Sequence, residues 1–340
     1  MNDAQRFAAT DGLRLRSLRL RAVLNKAIRD FFAAHDFLEV ETPAIATSPG
    51  LEPHLDAVAV TLREGMGGRP VQRYLVTSPE YHCKRLLSVG IERLYRLGKS
   101  FRSGERGAWH NPEFTMLEWY RTAADFQAIT DDTVDLVRAA GAAIEAHSPL
   151  PAAVQTALHS DPTRWDFCVE IQKACGFDAA ETDDHALLAT AAAADYPALP
   201  DETAADLLVR AFVDRVEPTM PDDRIVVLQG WPARLGSLAR KSPTDPAIAE
   251  RVEVYVCGVE LANGFSELVD PVEQRARFQA DLADRQRRGL PVYPIDERFL
   301  AALADCPDAA GIALGVDRLL MLLMGLQDID EALAFSFEIA

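Results

Sequence analysis

From Arg14 to His35, apolar residues recur at Leu20, Leu24, Ile28 and Phe31, the spacing of one helix face. Arg14, Arg16, Arg19, Arg21 and Arg29 supply the polar side, and this basic run reads as a solvated helix face. "FLEVETPAI" follows as a short alternating strand ending at Pro43, and "DAVAVTL" and "RYLVTSPE" bracket the glycine-rich "REGMGGRP" as a hairpin with a wide loop. A short helix, "EYHCKRLLSV", leads to "IERLYRLGKSFR" and, across a 103–111 loop, to "HNPEFTMLEWYR", predicting two more antiparallel strands. The second strand alternates like a half-buried one, yet it carries Glu113, Glu118, Tyr120 and Arg121 and follows Arg102, Glu105 and Arg106. That is more charge than a core strand explains.

Between about Asp131 and Glu217 the pattern turns alanine-rich and helical, broken at "HSPLPAA", "SDPTRW" and "DYPALPDE", which predicts a helical insertion (131–217) between two halves of a sheet. Strands resume at "RIVVLQG" and "RVEVYVCGVELANGF", followed by the helix "DPVEQRARFQADLADRQRRG", the glycine-punctuated strand "GIALG" and the helix "VDRLLMLLMG". Hairpin-linked strands with helices gathered in blocks predict an α+β fold with an antiparallel sheet, not a doubly wound parallel one. One domain spanning 1–340, with the insertion inside it, accommodates the whole pattern.

Composition narrows the class. At 49% hydrophobic and 26% charged residues, the chain of 340 has the make-up of a soluble globular protein. No apolar run approaches the roughly 18 to 20 residues of a membrane span, and "MNDAQRFAATDG" lacks the basic-then-apolar layout of a leader, so a cytoplasmic protein with no membrane partner is expected. Five scattered cysteines without a CxxC pair predict reduced thiols rather than disulfides or a zinc site. A formal charge of -17 argues against a protein that grips long nucleic acid.

Candidate chemistry starts with a false lead. "LGKS" at 97–100 imitates the end of a phosphate-binding loop, but the glycine required five positions before Gly98 is Arg93, and no GxGxxG follows a strand. Glu253, Glu260 and Glu267 lie seven apart, and a turn near Cys257 and Gly258 would set Glu253 and Glu260 on adjacent strands, where two carboxylates could share Mg²⁺ with substrate phosphates. Clustering without a counter-ion would raise their pKa values. The alternative is a pair of exposed strand glutamates bound to Arg251 or Arg275. Arg102 at a strand end and Arg318 at a helix start suit phosphate clamps, and Gly311 and Gly315 would let a ligand approach the backbone.

"FLEVETPAI", "YRLGKSFR…HNPEFTMLEWYR" and "GIALGVDRLLML" stand in the order and separation of the three signature motifs of class II aminoacyl-tRNA synthetases, and "ELANGFSEL" and "TSPEYHCKRLL" resemble the lysyl subgroup. The resemblance covers nearly all of the chain except the insertion, and it implies an ATP and amino-acid pocket floored by an antiparallel sheet. Nucleotide contacts would come from Arg102, Ser103, Gly104, Glu105, Asn111, Glu260, Leu261, Gly315 and Arg318, with Arg102 and Arg318 as the catalytic pair and Glu253 and Glu260 carrying Mg²⁺. Ser78, Pro79, Glu80, Tyr120, Ala262, Asn263 and Glu267 would line the amino-acid pocket, Glu80 and Glu267 being suited to a substrate ammonium.

Two departures from the family pattern follow. Motif 2 usually reads Arg, any residue, Glu, whereas here Arg102, Ser103 and Gly104 precede Glu105, which would read adenine one position late. The motif 1 helix begins by Arg14, leaving no room for an anticodon-binding barrel ahead of it. A free-standing core of this kind is similar to the elongation factor P lysine ligases, which implies activation of (R)-β-lysine, or lysine, and transfer to that factor rather than to tRNA. Ala262 stands where lysyl-tRNA synthetases have glycine, a methyl that can shift discrimination by roughly 1 to 3 kcal/mol. Motif 1 further implies a homodimer, with much of the apolar face of 20–40 as interface. A truncated synthetase that still charges tRNA, and a synthetase-like protein without catalysis, are the competing readings.

Overall fold

Leu13–Ala34 form helix α1 in the computed structural model, which describes residues 12–338 and 340. The expectation drawn from "MNDAQRFAATDG" thus falls, Gly12 apart, outside the described residues. α1 buries Leu20, Leu24, Ile28 and Phe32, each one turn from the last, while Phe31 is only partly covered. Each of these side chains contributes about 1.5–3 kcal/mol by leaving water. They pack inside the chain, Phe32 stacking on Tyr95 and leaning on Trp119, so Leu20, Leu24, Ile28 and Phe32 are intramolecular core and not the subunit interface expected of them, whereas Leu38 stays exposed. The basic side meets its expectation only in part: Arg16, Arg19 and Arg29 are exposed, whereas Arg14 and Arg21 are not. Arg14 donates to the carbonyls of Leu333 and Ala334, and Arg21 donates to that of Ala332 and pairs with Asp317 at 2.6 Å, so this face grips the end of the chain.

Short strands β1 (Leu38–Glu39) and β2 (Ile45–Ala46) lead to the hairpin β3 (Ala59–Arg63) and β4 (Pro70–Leu75), then helix α2 (Glu80–Leu87) and the long hairpin β5 (Arg93–Phe101) and β6 (Glu113–Thr122). The alternation of β6 does not appear in its burial, since Met116 to Tyr120 are all buried. The sheet is covered on both faces: Leu117 and Trp119 join the core beneath α1, while Tyr120 packs with Cys83 and Leu87 of α2.

The 131–217 stretch is not the purely helical insertion its alanines suggest. Helices α3 (Phe126–Glu145) and α4 (Ala152–His159) send Leu136, Val137, Ile144 and Leu158 into the main core. Strand β7 (Thr163–Asp166) then joins the sheet, and α5 (Phe167–Cys175), α6 (Asp184–Ala193) and α7 (Ala204–Ala211) pack with Val226, Leu228 and Tyr255 of the sheet in a second core around Phe167, Leu187, Leu207 and Phe212.

The rest comprises β8 (Ile225–Gln229), β9 (Trp231–Pro232), β10 (Ile248–Ala249), β11 (Arg251–Val256), β12 (Val259–Ser266), α8 (Pro271–Arg287), α9 (Glu297–Leu303), β13 (Ala309–Gly315), α10 (Val316–Met324) and α11 (Ile329–Ala332). One eight-stranded sheet runs β1-β5-β6-β13-β12-β11-β8-β7, antiparallel except for its two outermost pairs. The α+β expectation therefore holds. β11 and β12 close on Cys257 and Gly258, with φ of 53° and 75°, the paired positive φ that a two-residue hairpin turn asks for. No helix among the described residues is long and apolar enough to cross a membrane, and the five cysteines are free.

Candidate active site

The last strand along the chain, β13, slots between β6 and β12, and over these three opens a cavity of about 370 Å³, a size that admits a small ligand. Its walls come from the loop after β5, the β11–β12 hairpin, the start of α10 and the 52–55 segment. Four pieces far apart in sequence thus meet at one site.

At one end stand the two expected arginines. Arg318, on the first turn of α10, donates to the carbonyls of Glu260 and Trp109, lies 3.5 Å from the Glu260 carboxylate and meets His110 Nε2 at 2.5 Å. Burial and then the neighbouring Arg318 charge hold His110 below the ordinary imidazole range, so it accepts as a neutral ring. Arg102 lies over the Phe114 ring, donates to the Thr77 carbonyl and pairs with Glu105 at 3.6 Å. Glu105 faces the cavity, whereas Ser103 and Gly104 do not; they shape the loop, Ser103 by bridging to the Asp56 backbone and Gly104 through a φ of 81°. Asn111 reaches the wall, but its amide is engaged, Nδ2 donating to the Glu113 carbonyl and Oδ1 accepting from the Phe337 amide. Gly315 lines the cavity, and a Cβ there would meet nothing closer than Arg318 at 3.7 Å.

Glu253 and Glu260 do come together on the β11–β12 hairpin, both facing the cavity, with Leu261 and Ala262 beside them. Glu253 is not an exposed glutamate. It is 5% exposed, accepts from Arg251 at 2.6 Å and from the Tyr255 hydroxyl at 2.7 Å, and is pushed up to about 7 by burial, with Arg251 pulling it down and the Glu260 charge adding to the rise. Of the two arginines offered as alternatives, Arg251 is the partner; Arg275 pairs with Glu297 instead. The described residues contain no group of three or more His, Cys, Asp or Glu able to hold a metal. Two mutually repelling hard-oxygen donors, one of them open to the cavity, fit Mg²⁺ shared with substrate phosphates and do not fit an all-protein cage.

The other end is acidic. Ser78 Oγ donates to Glu118 at 2.5 Å and accepts from the Glu80 amide, while the Tyr120 hydroxyl donates to the other Glu118 oxygen at 2.8 Å. Burial, reinforced by the Glu80 charge, pushes Glu118 up to about 7. Asn263 also faces the cavity, and its buried Oδ1 has no hydrogen-bond partner among the described residues, an acceptor ready for an N–H. Pro79, Tyr120 and Glu267 stand behind the wall, Pro79 at the head of α2. Gly311 serves them and not a ligand: a Cβ there would come within 2.2 Å of the Tyr120 ring and 2.6 Å of Glu267 Oε1.

Three contributors escaped the sequence reading. Glu118 shares the face of Tyr120, two residues on along a strand, which is the signal that could have found it. Lys84 lies one helical turn from Glu80, a spacing that brings side chains together. Asp317 was hidden by Arg318; its Oδ2 accepts from the Thr115 amide at 2.6 Å while Arg21 holds its Oδ1, fixing α10 to β6 and α1.

Comparison with known proteins agrees with this geometry. Residues 9–338 match the family model described as tRNA synthetases class II (D, K and N). A protein of Vibrio cholerae named elongation factor P--(R)-beta-lysine ligase is 39% identical over 321 residues, covering 94% of this chain and 95% of that one. Proteins of the same name from Edwardsiella ictaluri and Haemophilus influenzae are 40% and 36% identical, the alignments covering 95% of this chain and 95% and 96% of theirs.

Proposed function

The chain belongs to the class II tRNA synthetase (D, K and N) family, and from that premise we propose that it activates (R)-β-lysine with ATP and transfers it to a lysine side chain of elongation factor P. The observation that carries this reading is the end-to-end match to ligases of that name, with no large part of either chain left unaligned. ATP use follows from the family.

The amino-acid carboxylate attacks the α-phosphorus of ATP, pyrophosphate leaves, and a mixed carboxylic–phosphoric anhydride remains. An amine of the acceptor protein then attacks the carbonyl carbon, and AMP departs with the bond electrons. Neither step needs a protein nucleophile; both need charge neutralised and groups aligned. Arg102 and Arg318 both line the cavity with side chains already hydrogen-bonded in place, which supports assigning them to the α-phosphate and the triphosphate tail. Glu260, backed by Glu253, would hold Mg²⁺, which when bound neutralises phosphate charge. At the acidic end Glu80, Glu118 and Asn263 offer acceptors to substrate ammonium groups. Ala262, next to Asn263 in sequence, also lines the cavity and is 1% exposed, consistent with a steric part in substrate choice.

ATP–pyrophosphate exchange tests the reading, with (R)-β-lysine, α-lysine and aspartate supplied in turn. Exchange should be strongest with (R)-β-lysine. A preference for α-lysine would replace the acceptor protein with tRNA as the expected target, and no exchange with any of them would defeat the catalytic reading. A homodimer is also expected; with α1 committed to the core, its contact would use exposed apolar residues such as Leu38 and Ile45. Light scattering after size exclusion should give twice the chain mass, and a monomeric mass would remove the dimer.

A further inference from the structure

Lys84 is a fully buried ammonium that the reaction just described does not use. It projects from α2 between two carboxylates, 2.6 Å from Glu80 Oε1 and 2.5 Å from Glu267 Oε2, and its Nζ lies 5.9 Å from the Phe299 ring centre. The groups facing this trio are Glu118 and Tyr120 from β6, Arg96 from β5, Glu52 from the preceding loop, and the thiols Cys83 and Cys306. Two buried carboxylates, Glu118 and Glu267, and two half-buried ones, Glu80 and Glu52, therefore converge against Lys84 and a more distant Arg96. Burial pushes Glu80 and Glu267 above the ordinary carboxylate range, and Lys84 is the chief pull the other way. Lys84 itself is raised, because the two carboxylates outweigh its own desolvation. Two buried carboxylates without a cation share a proton.

We propose that Lys84 is the positioning residue of the amino-acid pocket: it fixes Glu80 and Glu267 on either side of one nitrogen and favours negative charge on Glu80, so that Glu80 meets an incoming ammonium as a carboxylate. Lys84 is walled off from the cavity and acts through Glu80, which lines it. The inference rests on the reading that this end binds a substrate ammonium, and it adds why Glu80 there is not simply neutral.

The test compares Lys84→Met with the unaltered enzyme in ATP–pyrophosphate exchange across a range of pH. In the variant the uncompensated pair keeps a proton at neutral pH, so KM for the diamino acid should rise more than about tenfold and fall again as pH is raised toward about 9. KM for ATP should not move. Glu267→Gln added to Lys84→Met removes the proton-sharing partner, so the double variant should lose the pH dependence while keeping Glu80; it also serves if the single variant fails to fold. An unchanged KM, a rise independent of pH, or equal rises for amino acid and ATP would each overturn the proposal. Absence of exchange by the unaltered enzyme would instead defeat the functional reading, so the two failures are distinguishable.

Discussion

An Arg318→Ala variant is expected to lose about a thousandfold in ATP–pyrophosphate exchange while keeping nearly all of its stability, a result read by kinetics and thermal unfolding together. The two effects separate because the contacts of Arg318 are weak for folding and strong for charge development. Its ion pair with Glu260 is 3.5 Å long, and the two side chains are 22% and 39% exposed, so losing it costs about 1 kcal/mol or less. The neighbouring fold does not depend on it: α10 is tied to β6 and α1 through Asp317 instead. For catalysis the same guanidinium is pre-aimed, three fixed partners leaving no reorganisation when phosphate charge builds. Arg318→Lys should recover only part of the rate, since a point charge replaces a fork able to bind two oxygens. A variant that exchanges at the parent rate, or loses activity only in step with unfolding, would remove Arg318 from the phosphate site.

The fold was largely legible because its signals are local. The α1 stripe, the hairpins and the glycine-punctuated β13 each carry their own periodicity, and structure follows them closely. What could not be read was partnership. Leu24 or Ile28 as core and as subunit interface are the same letters, and the core won because β5 and β6 bring Tyr95 and Trp119 against Phe32. β7 was lost among helices because four residues hold too little pattern to show a strand; only the neighbouring β8 makes it one. At the site, arginines and hairpin glutamates were found by motif, whereas Lys84 and Glu118 were not, since their meaning depends on burial and on carboxylates distant in sequence. Gly311 was found for the wrong physical reason.

That reason yields the second large effect: Gly311→Ala should raise KM for the amino acid more than about tenfold, leave KM for ATP alone, and lower stability by about 1–3 kcal/mol. Gly311 does not occupy a positive φ, so alanine is acceptable to the backbone and the cost is steric. Its register partner across β6 is Tyr120, and across β12 it is Phe265, so the backbone is held on both sides and cannot retreat. The added methyl must displace the Tyr120 ring, whose hydroxyl orients Glu118, and crowd Glu267, which Lys84 holds. Both disturbances reach the acidic end; neither reaches Arg102 or Arg318. Gly315→Ala is the contrast for stability, since its methyl would find Arg318 at an ordinary 3.7 Å and the unfolding midpoint should stay put. Combining Gly311→Ala with Tyr120→Ala removes the clash with the ring, so the double variant should lose less stability than the two single variants summed, while amino-acid recognition stays impaired. If recognition returned, Tyr120 would be packing only, and the pocket would owe its order to Ser78 and Lys84 alone.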